Sequence, residues 1–236
     1  MANLITLSLL SQKKDSTSQI ALHKQIEDIL FSDPEKALSL AKKELKKSKK
    51  GTIEYVDALN DIGVSSYYLD DYDSGLKYLN DALNEAVILN YNKGEADALF
   101  YLGDIHILLG KYGTAIDYLA KSLDIYTKLK DNSGMADCMN GIGNIQMYQG
   151  NFEKAKDYFE KALKYGDNFN KADSYTYLGD LYVKIEAYDE AIKYAEKSLQ
   201  LGKQNNDNYV ISASLDNLGY AYMMTKRERK ALGLLN

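Results

Sequence analysis

One proline, one cysteine and no tryptophan stand in a chain of 236 residues, and its 29 basic side chains include arginine only at Arg227 and Arg229. Each shortage excludes something. A lone Cys138 cannot close an internal disulfide, so the fold is not stapled, and a reducing compartment fits without being required. With arginine nearly absent and 34 acids giving a net charge of -5, the basic patches and forked guanidinium contacts of a nucleic-acid binder are missing, so none is expected as a partner. The longest strongly apolar stretch, Leu4 to Leu10, falls far short of the roughly 20 residues a membrane-spanning helix needs. Proline is far below its usual share of about 5%, and Pro34 follows Ser32-Asp33, where it can occupy the first turn of a helix without losing a hydrogen bond.

What is present is helix-forming: Ala, Leu, Lys and Glu are abundant, and there are 21 tyrosines. The expected fold class is all-α. The chain also repeats itself. Gly63, Gly103, Gly143, Gly179 and Gly219 are separated by 40, 40, 36 and 40 residues. Nine residues after the first four glycines come Tyr72, Tyr112, Phe152 and Tyr188. Twelve residues after each come Gly75, Ala115, Ala155, Ala191 and Ala231. Sixteen after stand Leu79, Leu119, Phe159, Ala195 and Leu235, and nineteen after stand Ala82, Ser122, Ala162 and Ser198.

Such a period describes pairs of helices joined by short turns such as Leu109-Gly110-Lys111-Tyr112, each pair stacking on the next because one pair alone cannot bury its apolar face. Small residues at the glycine and alanine positions let helices approach closely. The single 36-residue interval is four residues short, about one helical turn, so a helix there can shorten without rotating its buried stripe.

These residues resemble the tetratricopeptide repeat (TPR) family, in a long-helix variety with about 40 residues per repeat against the more usual 34 or so. The resemblance implies a right-handed superhelical solenoid of antiparallel helix pairs. Residues 52–236 are expected to form five repeats, the last incomplete. Residues 20–51 read as one degenerate repeat, with Gln25 in the glycine position and Ala37 and Ala41 at second-helix positions, and residues 1–19 as an N-terminal leader. The apolar residues 1–10 carry no basic segment before them; they read as a frayed terminus or, in the alternative, as a cropped secretion signal. Cytoplasmic localisation is the expectation, or periplasmic if the signal reading holds. At the other end, Ala231, Leu232 and Leu235 would lack a covering helix, so that end is expected to pair with another copy or to continue into further protein.

In the family the first helix of each pair lines a concave groove that binds peptides. Three positions before each glycine, one after it and four after it are the groove-facing offsets. They give Asn60, Val64 and Tyr67; Phe100, Asp104 and Ile107; Asn140, Asn144 and Met147; Thr176, Asp180 and Val183; and Asp216, Tyr220 and Met223. From these, Asn60, Tyr67, Asp104, Ile107, Asn140, Asn144, Met147, Asp180, Val183 and Tyr220 are the candidate peptide-binding residues. The amides would pair with an extended backbone and the apolar side chains would take up anchors. A row of acids six residues before the glycines, Asp57, Asp97, Asp137 and Asp173, suggests a basic partner segment.

Nothing points to chemistry. His23 and His106 are far apart in sequence, and His106 occupies a packing position of the repeat. Cys138 fills an alanine-like slot. Gly141-Ile142-Gly143 sits inside a helix and not in a phosphate loop, and no cluster has metal-ligand spacing. Lys42, Lys43, Lys46, Lys47, Lys49 and Lys50 close a helix begun at Pro34, where cations complement the helix C-terminus. No catalytic residue, metal or cofactor is expected. The expected role is protein or peptide interaction, or the sensory portion of a larger bacterial signalling protein.

Overall fold

A computed structural model of the chain describes residues 22–26, 28–30 and 32–226. The sequence features at residues 1–19, including the stretch from Leu4 to Leu10, lie outside the described residues, as do Arg227, Arg229, Ala231, Leu232 and Leu235. Among the described residues every regular element is a helix. The chain divides into two compact units, Met1–Tyr118 and Leu119–Asn236.

In the first unit, helical residues 22–26 and 28–29 precede α1 (Pro34–Leu45), α2 (Ile53–Tyr68), α3 (Tyr72–Leu89) and α4 (Asn92–Leu108). Helix α5 (Tyr112–Leu129) contains the boundary. The start of α1 follows the sequence expectation: Asp33 accepts a hydrogen bond from the Lys36 amide at 3.0 Å, and Pro34 stands in the first turn. Lys42 and Lys43 fall in its last turn, where they complement the helix dipole. Ala37 and Ala41 are fully buried, packed with Ile26, Leu30, Ile62, Val64 and Leu79. Gln25, in the position that glycine takes in the later repeats, is exposed. A second cluster of Val56, Leu59, Ala82, Ala86 and Ala98 joins α2, α3 and α4.

The second unit holds α6 (Asn132–Tyr148), α7 (Phe152–Tyr165), α8 (Asn168–Lys184), α9 (Tyr188–Asn205) and α10 (Asn208–Met224). Phe159 is fully buried among Met147, Ala155, Leu178 and Leu181. Ala191, Ile192 and Ala195 pack on Leu218, Ala221 and Tyr222. Helix α7 has 14 residues, whereas α3 and α9 have 18. The short interval between Gly143 and Gly179 is therefore taken up within one second helix, which loses about one turn and keeps Ala155, Phe159 and Ala162 on its buried side.

Most connections are built alike. A single residue with positive φ follows the first helix: Asp70, Gly110, Gly150 and Glu186 occupy equivalent places. The next amide then reaches back across the turn, as in Lys111 N–H to His106 O at 2.9 Å and Ala187 N–H to Tyr182 O at 2.9 Å. This left-handed cap satisfies carbonyls that the helix end leaves open. Aspartates at the next helix starts, Asp71, Asp131 and Asp207, accept from amides of their first turns. The turn before α8 differs: Gly166 is extended, and Asp167 and Asn170 form a reciprocal capping box.

Candidate functional site

The even-numbered helices α2, α4, α6, α8 and α10 carry the groove-facing offsets. In each unit polar side chains link successive first helices, as those of Asn60 and Asn140 do, while others reach the second helices, as Thr176 Oγ1 does to Ser198 Oγ.

In the first unit, Asp57 of α2 is surrounded by Tyr91, at the start of α4, together with Asp61, Asp97 and His23. Burial pushes its carboxyl up to about 6, and the charges of Asp61 and Asp97 add to the shift against the opposing pull of His23 and the Tyr91 hydroxyl. Tyr91 is raised in turn, by burial first and then by the Asp57 charge. His23 Nδ1 lies 2.9 Å from Asp61 Oδ2. Lys93 is paired with Asp97 one turn along α4. Asn60 is 6% exposed, and its amide donates to the Gly94 carbonyl at 3.0 Å. Tyr67 belongs to an aromatic group in which its ring centroid lies 5.0 Å from that of Tyr68 and 5.9 Å from that of Tyr101. Asp104 is half-buried and Ile107 buried.

In the second unit, Asn140 is 4% exposed and takes part in a buried polar seam. Its Nδ2 donates to the Asn170 carbonyl at 3.3 Å, and its Oδ1 accepts from Ser174 Oγ at 2.8 Å. Asn170 also bonds Asp137 through Nδ2 and accepts from Ser133 Oγ at 2.9 Å. Asn144 is half-buried and Met147 buried. Asp180 accepts from Asn217 Nδ2 at 2.7 Å, and burial raises its carboxyl above the ordinary range. The Tyr209 phenol is also pushed up, by desolvation first and next by the charges of Asp180 and Asp173. Val183 is half-buried, while Tyr220 and Met223 are exposed at 45% and 60%. The described surface of α8 and α10 is thus acidic, aromatic and partly open.

The candidate residues fall into two groups. Asn60, Ile107, Asn140 and Met147 are buried, and the two asparagines are tied to backbone carbonyls of the following first helix. Tyr67, Asp104, Asn144, Asp180, Val183 and Tyr220 keep some exposure. Sequence reasoning passed over Tyr91, His23, Asp61, Asn170 and Tyr209. Tyr91 had a legible signal, because it takes the helix-start place that Asp131 and Asp207 hold elsewhere in the array.

The features expected to be structural sit in packed positions. His106 stacks on Tyr118, centroids 5.5 Å apart and planes 3° from parallel. Cys138 is fully buried and donates to Ser122 Oγ at 3.4 Å. Gly141-Ile142-Gly143 lies within α6. Among the described residues no group of three or more His, Cys, Asp or Glu is placed to hold a metal ion, and no helix is long and apolar enough to cross a membrane.

Helix pairs repeated every 36 or 40 residues, with successive first helices of each unit linked by polar side chains, define a helical-repeat protein. Models of the tetratricopeptide repeat match residues 54–128, 94–168 and 140–206. The chain belongs to the tetratricopeptide repeat family and has its all-α solenoid architecture. No curated protein matches it in sequence. Among solved structures, it is similar to BtubC (BKLC) from P. vanneervenii, with 19% identity, a TM-score of 0.64 and coverage of 91% of this chain and 88% of that one. The quorum sensor NprR from B. thuringiensis gives 20% identity and a TM-score of 0.71, over 92% of this chain and 61% of that one. A Rap protein complexed with competence and sporulation factor gives 16% identity and a TM-score of 0.76, over 92% and 62%. The chain therefore spans about three fifths of the length of the NprR and Rap chains.

Proposed function

We propose that this chain is a non-enzymatic interaction module that takes a peptide or protein segment along the first-helix face. Tyr67 and Asp104 in the first unit, and Asn144, Asp180, Val183 and Tyr220 in the second, supply the contacts. Asn60, Ile107, Asn140 and Met147 lie beneath and hold the helices that present them. The observation that carries this reading is the α8–α10 surface, where Asp180, Tyr209, Tyr220 and Met223 combine carboxylate, aromatic and exposed apolar groups. A basic peptide with an apolar neighbour complements it in charge and in desolvation. The Rap structure named above holds competence and sporulation factor, and its likeness to this chain supports the reading at the level of fold.

A screen of short synthetic peptides against the wild-type chain tests it, with hits measured again on Asn144→Ala and Asp180→Asn variants of unchanged helicity. Binding is expected to weaken in both, and to weaken with added salt if the partner is basic. Hits that bind both variants with wild-type affinity would refute the assignment of the face.

A second reading makes the chain the sensory portion of a longer bacterial signalling protein, with residues 1–19 as leader, 20–51 as a degenerate repeat and 52–236 as the repeat array. It is favoured by the partial coverage of NprR and Rap, and the gene sequence on either side tests it. Self-association through the C-terminal end is a third role, tested by sedimentation over a range of concentrations.

A further inference from the structure

Asn217 stands two residues before the glycine of α10, where the other first helices carry Asp61, Tyr101, Gly141 and Tyr177. It is 7% exposed, and its Nδ2 donates to Asp180 Oδ1 of α8 at 2.7 Å. To reach Asp180 the amide crosses Gly179. A Cβ placed on Gly179 would lie 3.1 Å from Asn217 Nδ2 and 3.7 Å from its Cγ, whereas a Cβ on Gly63 or Gly143 would meet the second-helix residue Leu79 or Phe159. In this repeat the space left by the glycine is taken by the next first helix, and what passes over it is a hydrogen-bond donor.

Asp180 is half-buried. Burial raises its carboxyl, the Asn217 hydrogen bond and the charge of Lys184 oppose that rise, and Asp216 adds to it. Lys184, one turn along α8, is exposed, so water screens its charge. Among the described residues Asn217 is the side chain that hydrogen-bonds Asp180. Oδ1 is thus engaged, and Oδ2 is left for a donor from outside the chain. Tyr209, at the start of α10, feels the charge of Asp180 and is 71% exposed. A cation drawn to the carboxylate gains further from a neighbouring tyrosine ring. With one oxygen held and one open, the carboxylate offers a single point of contact. That suits the compact ammonium of lysine better than the two-point fork of an arginine guanidinium.

We infer, on the peptide reading of this face, that Asn217 is its positioning residue: lying over Gly179, it holds Asp180 so that one oxygen receives a lysine side chain of the bound segment in preference to arginine.

Single-residue probes test this role apart from any peptide. N-acetyl-lysine methylamide and its arginine and norleucine counterparts are titrated into the full chain near neutral pH. NMR follows the Asp180 carboxyl carbon and the Asn217 side-chain amide. In the wild type the lysine probe is expected to bind at least about threefold more tightly than the arginine probe, and the norleucine probe to leave both signals in place. Asp180→Asn should abolish the response of the Asn217 amide to both cations. Asn217→Ala, which releases Oδ1, should bring arginine level with lysine or ahead of it, whereas a merely structural role for Asn217 would weaken both probes alike. An arginine probe that binds the wild type as tightly as lysine, a lysine preference that survives Asn217→Ala, or signals that stay still with the lysine probe would overturn the role. Should Asn217→Ala not fold, the comparison of probes on the wild type decides. Failure of the peptide reading shows elsewhere: a peptide screen without hits, while the lysine probe still moves Asp180, removes that reading and leaves the lysine site standing.

Discussion

Gly143 of α6 faces Phe159 of α7 so closely that a Cβ placed on it would lie 2.6 Å from the ring carbon Cε1. Gly63 stands in the same relation to Leu79, whose Cγ would be 2.5 Å from such a Cβ. Whereas Gly179 faces the small Ala195 at 3.8 Å and Gly219 meets nothing within 4 Å, at these two positions the glycine is a packing requirement, one side of the contact being empty so that a large residue can fill the other.

Adding a methyl group there should be costly. Gly143→Ala is expected to destabilise the second unit by about 1–3 kcal/mol through overpacking, despite alanine's better helix propensity. Gly113, near the start of α5, meets nothing within 4 Å in its place. Gly113→Ala is expected to be neutral or to stabilise by up to about 1 kcal/mol. Urea denaturation of the pair decides between propensity and packing as the reason for the glycine.

Glu186 holds a left-handed backbone, φ 61°, at the place where Gly110 and Gly150 stand in earlier turns. A side chain costs roughly 1–2 kcal/mol in that region. Glu186→Gly, on an exposed turn, should stabilise the chain by about 1 kcal/mol after the added flexibility of the unfolded chain is counted. A lower thermal midpoint in the variant would contradict this account of the turn.

Asn140 links α6 to α8 through two side-chain hydrogen bonds. Asn140→Ala removes them and leaves the buried Asn170 carbonyl without that donor, at a cost of about 1–3 kcal/mol. The loss should appear in chemical denaturation with no ligand present. Asn144→Ala should cost less, since Asn144 is more exposed and its Oδ1 has no hydrogen-bond partner. It is therefore the cleaner probe of binding.

His106 is held below the ordinary histidine range, by burial first and then by the Lys111 charge. The folded chain thus resists a proton that the unfolded chain accepts. Its contribution to stability is present above the ordinary histidine value of about 6.5 and is lost as pH falls below it. His106→Phe, which keeps a ring against Tyr118, should flatten the acid limb of a thermal-midpoint profile. Asp57 acts with the opposite sign, so each is best seen as a difference from the wild type.

The architecture was legible because a 40-residue period leaves few other readings: Gly63, Ala82 and Leu79 announce a helix pair that must stack. The shortened α7 was equally readable, since only a loss of about one turn keeps Ala155 and Phe159 on one side. The fate of the asparagines was not. An offset from the glycine tells which way Asn60 and Asn140 leave their helices. It does not tell that the next first helix passes near enough to bury them against Gly94 and Asn170. His23 and Asp57 were hidden for the same reason. Their encounter joins residues 34 apart through packing of the preceding degenerate repeat, for which sequence offers a spacing and no distance.

The short left-handed turns also bear on how the chain reaches its structure. Within each unit, the helices that touch are neighbours or next neighbours in the chain, so each contact closes over no more than one intervening helix. The entropy of loop closure grows with loop length, and topologies rich in local contacts fold fast. Each helix pair can therefore serve as a starting point onto which the next one zips, and an array extended or trimmed by a whole repeat should keep its folding speed.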